Sequence, residues 1–97
     1  MIIRIVRMNF KAENVDLFLE IFHANKNLIR NVSGCTHLEL LKDVNSPLTY
    51  STVSYWDTPE HLEQYRQSEL FGKVWGRVKP LFSSPTQAFS LVRVVEL

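Results

Sequence analysis

The chain carries a single cysteine, Cys35, with only three glycines and four prolines in 97 residues. One cysteine excludes an internal disulfide framework and suits a reducing, cytoplasmic setting. Scarce glycine and proline, together with 45% apolar residues, exclude a low-complexity or disordered segment. An excess of charge of either sign is also missing. Eleven basic residues face ten acidic ones, a formal balance of +1, and the two signs are interspersed. Neither nucleic acid nor an anionic membrane surface is an expected partner of so even a distribution. The apolar start MIIRIVRMNF is broken by Arg4 and Arg7, so it reads as neither a signal peptide nor a membrane span. Glycine-rich phosphate loops, zinc-ligand spacings and nucleophile elbows are absent, and no metal or cofactor is expected.

What remains is hydrophobic and aromatic: six Phe, three Tyr and two Trp. A chain of this length makes one domain, residues 1–97, with a modest core. Its apolar content exceeds what such a core absorbs, which points to self-association.

MIIRIVRMNF alternates as a strand with apolar residues on both faces. From Asn14, an expected N-cap, Phe18, Ile21, Phe22, Leu28, Ile29 and Val32 follow helical spacing. That predicts a helix over 15–31, with Gly34 supplying a left-handed stop. CTHLELLKDV reads as a second strand, Asp43 to Pro47 as a turn, and LTYSTVSYW as a third strand that closes a hairpin. Thr58 and Pro59 open a short helix, and Ser68 caps another that turns Leu70, Phe71, Val74, Trp75 and Val78 inward, with Pro80 near its end. AFSLVRVVEL is expected to form the last strand, with both faces in need of cover. The order β-α-β-β-α-β, with one extra helical segment, is the ferredoxin-like split arrangement of the α+β class: one antiparallel sheet with helices on one face. No segment is left to cover the other face. A symmetric homodimer, its sheets packed face to face or joined as a dimeric α+β barrel, is therefore expected, with the C-terminal strand at the interface and Arg93 paired across it.

Several polar or unusual residues stand out against this frame. Asn25 falls at the centre of the first helix's apolar stripe, where an amide needs partners: a backbone group, a water, or a ligand in a pocket between helix and sheet. His37 shares strand parity with Cys35, Glu39 and Leu41, in a mixed environment where it serves as a structural histidine or as a base. His23 and His61 are expected to be solvated. Tyr50, Thr52, Ser54 and Trp56 project from one strand face, either as core anchors or as the wall of a pocket for a planar aromatic ligand. Gly72 and Gly76 each cost a helix about 1 kcal/mol against alanine, which calls for close packing or room for a ligand.

At GCTHLELLKD, PLTYSTVSYWDTPEHLEQY and SELFGKVW the chain resembles the antibiotic biosynthesis monooxygenase (ABM) domain family. The resemblance covers nearly the whole chain and rests on an ordered set: Gly34, Cys35, Glu39, Tyr50, Trp56, Pro59, Leu62, Ser68 and Phe71. It implies a dimeric ferredoxin-like fold with a pocket between helices and sheet in each subunit. It also implies a small oxygenase that converts phenols or quinols to quinones without metal or flavin, by binding and deprotonating the substrate and stabilising its anion in a dry cavity. Trp56 matches an aromatic of the family pocket. Two positions depart from the pattern. Ser54 stands where many relatives have a glutamate, and Tyr65 stands where many have a histidine. A tyrosine of ordinary pKa, about 10, is a poor base near neutrality. The haem-degrading branch asks for a tryptophan and an iron-ligating histidine where this chain has Tyr65 and Trp75, so haem is not expected.

The candidate catalytic residues are thus His37 and Tyr65, and the candidate substrate-binding residues Trp56, Tyr50, Asn25 and Trp75. Three readings follow. The first is a cofactor-independent monooxygenase acting on a small aromatic or quinol-like metabolite. The second is an isomerase or a non-catalytic small-metabolite-binding dimer of the same fold. The third is a structural dimerisation domain.

Overall fold

Period-two apolar alternation becomes strand and 3.6-residue spacing becomes helix throughout the computed structural model, which describes residues 1–97. The elements run β1 (Ile2–Asn9), α1 (Val15–Arg30), β2 (Cys35–Lys42), β3 (Thr49–Trp56), α2 (Pro59–Arg66), α3 (Glu69–Val78) and β4 (Gln87–Leu91), with short 3-10 turns at Ala12–Asn14 and Lys79–Leu81. The strands form one antiparallel sheet in the order β2-β3-β1-β4. This is the expected split arrangement: an α+β ferredoxin-like fold with an additional helix.

Register decides which side chains meet the helices. β1 pairs with β3 from Ile2 opposite Trp56 to Asn9 opposite Thr49, and with β4 from Ile3 opposite Leu91 to Arg7 opposite Gln87. Residues paired across a ladder point to the same side. Ile2, Arg4, Val6 and Met8 therefore share the inner face with Tyr50, Thr52, Ser54 and Trp56. The main core gathers Met8, Phe10, Tyr50, Phe18, Ile21, Val78 and Leu81 on that face. A smaller cluster joins Cys35, Trp56 and Leu62, with Ile2, Val32 and Tyr65 packed on it.

The caps follow the sequence in two cases and not in a third. Thr58 Oγ1 accepts from the His61 amide at 3.2 Å, and Ser68 Oγ accepts from the Phe71 amide at 3.2 Å, so α2 and α3 begin where hydroxyls can satisfy free amides. Asn14 makes no cap bond. A 3-10 turn precedes α1, and the Asn14 side chain instead donates through Nδ2 to the Leu81 carbonyl at 3.3 Å, tying the helix start to the turn after α3. The predicted turn after β2 is held by Asp43, whose Oδ2 accepts from the amides of Asn45 and Ser46.

Other expectations are corrected. Leu28, placed in the buried stripe, is exposed. Gly72 and Gly76 lie on the solvent side of α3, where an added methyl would meet nothing within 4 Å, so no close packing within this chain accounts for them. His61 is half-buried: its Nδ1 lies 2.7 Å from Thr58 Oγ1 and its ring sits against Gly34. The final strand is five residues long and exposed, and it ends at Leu91. Val92, Val94, Val95 and Leu97 lie beyond it in solvent, and Arg93 pairs with Glu96 of its own chain at 3.5 Å. Nothing of this chain pairs with or covers that segment, so its β propensity has no ladder to join.

The outer sheet face carries Ile3, Ile5, Val53 and Tyr55, half-buried by their neighbours on the same face, with Leu41, Phe89 and Leu91 more exposed. No helix of the chain reaches it.

Candidate functional site

A cavity of about 350 Å³ opens between the inner sheet face and the helices. Its floor is built by strand parity: Arg4, Val6 and Met8 from β1, with Thr52, Ser54 and Trp56 from β3. Its roof is built by helical spacing: Phe71, Val74, Trp75 and Val78 from α3, Leu62, Tyr65 and Arg66 from α2, and Phe18 and Phe22 from α1. Ala88 of β4 and the preceding Thr86 complete the rim.

Aromatic rings run through this lining as a connected series. Trp56 stacks on Tyr65 with centroids 4.9 Å apart, and Tyr65 meets Phe71 edge-on at 5.2 Å. Phe71 stacks on Trp75 at 5.9 Å, and Trp75 leans on Phe82 at 5.5 Å. Each ring packs against the next, so the series forms a continuous aromatic wall that Phe82 extends beyond the cavity lining. Trp56 is only 1% exposed, and its indole Nε1 donates to Ser54 Oγ at 2.9 Å. Ser54 thereby fixes the ring that forms one end of the cavity floor.

The titratable groups in the lining are Arg4, Tyr65 and Arg66. Burial, with a smaller contribution from the charge of Cys35, pushes the Tyr65 phenol up to about 12. Tyr65 is therefore protonated at neutral pH and offers a hydroxyl donor. Burial also lowers the pKa of Arg4, the Arg66 charge lowers it further, and Glu63 partly offsets both. Arg4 still remains a cation at neutral pH. Arg4 Nη1 donates to Ser90 Oγ at 3.0 Å and takes part in none of the ion pairs. Arg66 pairs with Glu63 at 3.5 Å, both side chains about half exposed. No carboxylate and no imidazole lines the cavity.

Of the sequence candidates, the fold brings Trp56, Tyr65 and Trp75 together around this space. The other three lie elsewhere. Tyr50 is on the expected strand face but is packed into the main core between Phe10 and Phe18. Asn25 lies on the stripe, half-buried, and donates to the Ile21 carbonyl of its own helix at 2.8 Å, outside the cavity lining. His37 is on the opposite side of the sheet. The ladder slips between Cys35, which faces Trp56, and His37, which faces Tyr55. This bulge at Thr36 reverses the parity, so His37 and Cys35 do not share a face as simple alternation predicted. His37 Nε2 lies 3.0 Å from Glu39 Oε2, and its ring lies 4.6 Å from that of Tyr55.

Arg4 and Arg66 were missed as site residues. The signal for Arg4 was present: it shares the parity of Ile2, Val6 and Met8, so a cation stood on an apolar strand face. Arg66 gave no signal, because its position at the end of α2 matters only once that helix is laid over the sheet.

The family model described as antibiotic biosynthesis monooxygenase matches residues 1–75. Among solved structures, one described as an antibiotic biosynthesis monooxygenase superposes with a TM-score of 0.91 at 17% identity, covering 98% of this chain and 100% of the other. A putative antibiotic biosynthesis monooxygenase from Nitrosomonas europaea gives 0.89 at 14% identity, over 98% and 100% of the two chains. Another so described, from Bordetella bronchiseptica, gives 0.85 at 22% identity over 97% of both. No curated protein matches the chain. At these identities the structural likeness speaks for the fold.

Proposed function

Because this chain belongs to the antibiotic biosynthesis monooxygenase family, we propose that it oxygenates a small, planar, quinol-like or phenolic metabolite, using no cofactor beyond the substrate's own electrons. The observation that carries this reading is the aromatic-walled cavity, where half-buried Tyr65, Phe71 and Trp75, with Trp56 stacked behind Tyr65, make a lining that suits a planar aromatic substrate.

The chemistry asks little of the protein. An ionised, electron-rich substrate transfers one electron to O2, and the two radicals combine into a ring-carbon peroxide. The proton lost on ionisation returns to that peroxide, and loss of water leaves a carbonyl. One oxygen atom enters the product quinone and the other leaves as water. The largely apolar lining lowers the polarity around the radical pair, and Tyr65, protonated at neutral pH, supplies a hydrogen-bond donor. With no carboxylate or imidazole in the lining, the substrates that fit are those that ionise readily by themselves.

A panel of hydroquinones, anthrones and catechols in metal-free buffer tests the reading. At least one compound is expected to consume O2 in equal amount to the quinone formed, without hydrogen peroxide accumulating. No uptake across the panel would overturn it. A second reading, a metabolite-binding or isomerising protein, is favoured by the same missing base. It is distinguished by panel compounds that raise the melting temperature, as a native-state ligand must, with no O2 consumed.

We also propose a homodimer, in which a second copy covers the outer face of Ile3, Ile5, Val53, Phe89 and Leu91, and the exposed Val92 to Leu97 segment reaches the partner. Light scattering at micromolar concentration is expected to report about twice the 11.3 kDa chain mass. A monomeric mass refutes this arrangement. A reducing cytoplasm suits the buried free thiol of Cys35.

A further inference from the structure

From the placement of Arg4 and Arg66 on the wall of the aromatic cavity, we infer that the site takes its ligand as a planar aromatic anion, with the negative oxygen held between these two guanidinium groups. The inference rests on the proposed use of this cavity and adds the charge state and the recognising residues.

Three observations support it. Arg4 lies on the inner face of a central strand, between β3 and β4, among side chains that are otherwise apolar or hydroxyl-bearing. A cation placed there is partly desolvated, which makes an anionic partner favourable. The protein supplies only a hydroxyl, Ser90 Oγ, and no carboxylate. Arg66, on the same cavity wall, adds to the difficulty, since its charge makes the Arg4 cation less favourable and the nearby Glu63 offsets this only in part. An oxyanion close to both would offset that repulsion. A guanidinium presents a fork of N–H donors to an oxygen anion.

The rest of the cavity fits the rest of such a ligand. Half-buried Tyr65, Phe71 and Trp75 offer apolar surface to a flat body, backed by the buried Trp56 stacked on Tyr65. No carboxylate lines the cavity, Glu63 lying outside the lining and paired with Arg66. The same arginines would hold an ionised phenol in its ionised form. This answers how a site without carboxylate or imidazole obtains the substrate anion: the positive field lowers the ligand's own pKa.

The test uses binding alone, so that it stands apart from the oxygenation assay. Both tryptophans of the chain, Trp56 and Trp75, line the cavity, so quenching of intrinsic fluorescence reports its occupancy. The probes are 2-naphtholate, 2-naphthoate and their neutral methyl ether and methyl ester, titrated under argon at a pH where each acid is ionised. The anions are expected to bind at least tenfold more tightly than the neutral partners, and the two anions together distinguish a phenolic oxygen from a carboxylate. Arg4→Met and Arg66→Met are each expected to abolish most of that preference while leaving ether and ester binding within about twofold, and Arg4→Lys to restore part of it. Equal binding of charged and neutral probes overturns the inference, as does loss of both in the Met variants or no quenching by any probe. Selective anion binding without O2 uptake in the separate assay would leave the inference standing and remove the oxygenase reading. O2 uptake with no charge preference would do the reverse.

Discussion

Trp56→Ala is expected to lower the unfolding free energy by about 3–5 kcal/mol, the usual cost of truncating a fully buried large aromatic residue. Trp56 is 1% exposed, closes the smaller core cluster with Cys35 and Leu62, and stacks on Tyr65. Truncation would remove all three contacts and strand the Ser54 hydroxyl, which now accepts from the indole at 2.9 Å. For a chain of this size each kcal/mol shifts the melting temperature by about 4–8 °C, so a fall of more than about 12 °C is expected by calorimetry or circular dichroism. Trp56→Phe keeps part of the packing and loses only the hydrogen bond, at a cost of about 1–2 kcal/mol. A Trp56→Ala protein that melts within about 3 °C of the parent would show that the ring is not integral to the core. In that case the cavity floor would be a mobile surface.

Gly34→Ala is expected to be the second most damaging change, although it adds a single methyl group. Gly34 has φ of +86°, in the left-handed region where a side chain costs about 1–2 kcal/mol. Its carbonyl accepts from the Asp57 amide at 2.8 Å, which holds the backbone in that conformation just before β2 begins. An alanine methyl would also overlap the His61 ring, and the ring is tied by the Thr58 hydroxyl at 2.7 Å. Overpacking of this kind adds about 1–3 kcal/mol. The two contributions separate in a double-mutant cycle. His61→Ala in the Gly34→Ala background is expected to recover the steric part and leave the backbone part. Additive losses in the cycle would mean that His61 swings away freely and that only the torsion matters.

Both residues were visible in the sequence, but for incomplete reasons. Gly34 was read as a helix stop. Its left-handed torsion is real, yet α1 ends at Arg30 and the glycine's close neighbour is the His61 ring of α2, a residue read as solvated. Trp56 was placed on the correct strand face because β3 is regular from Thr49 to Trp56, so alternation holds along its whole length. Alternation failed on β2 for a local reason: one bulge at Thr36 moved His37 to the far side of the sheet from Trp56. A bulge leaves no reliable mark in a single sequence, because the extra residue is simply left unpaired while the bulged strand bends around it.

The same contrast runs through the rest of the site. Tyr50 and Trp56 look alike in sequence, two aromatics of one parity on one strand. Only the layer above decides that Tyr50 packs against Phe10 and Phe18 in the main core while Trp56, likewise buried, stacks on Tyr65 at the end of the cavity. Asn25 sits on the apolar stripe as spacing required, yet its own helix satisfies it.

What the sequence determined by itself was the element order, the split antiparallel topology, the hydroxyl caps of α2 and α3 and the family, because these follow from local periodicity and from side chains acting on their own backbone. What only the tertiary structure decided was which polar groups share a space. Arg4 and Arg66 belong to different elements, and neither periodicity nor capping relates them. They meet at one cavity because α2 is laid over β1 and β3, and it is the packing of helix on sheet that turns two unremarkable cations into neighbours.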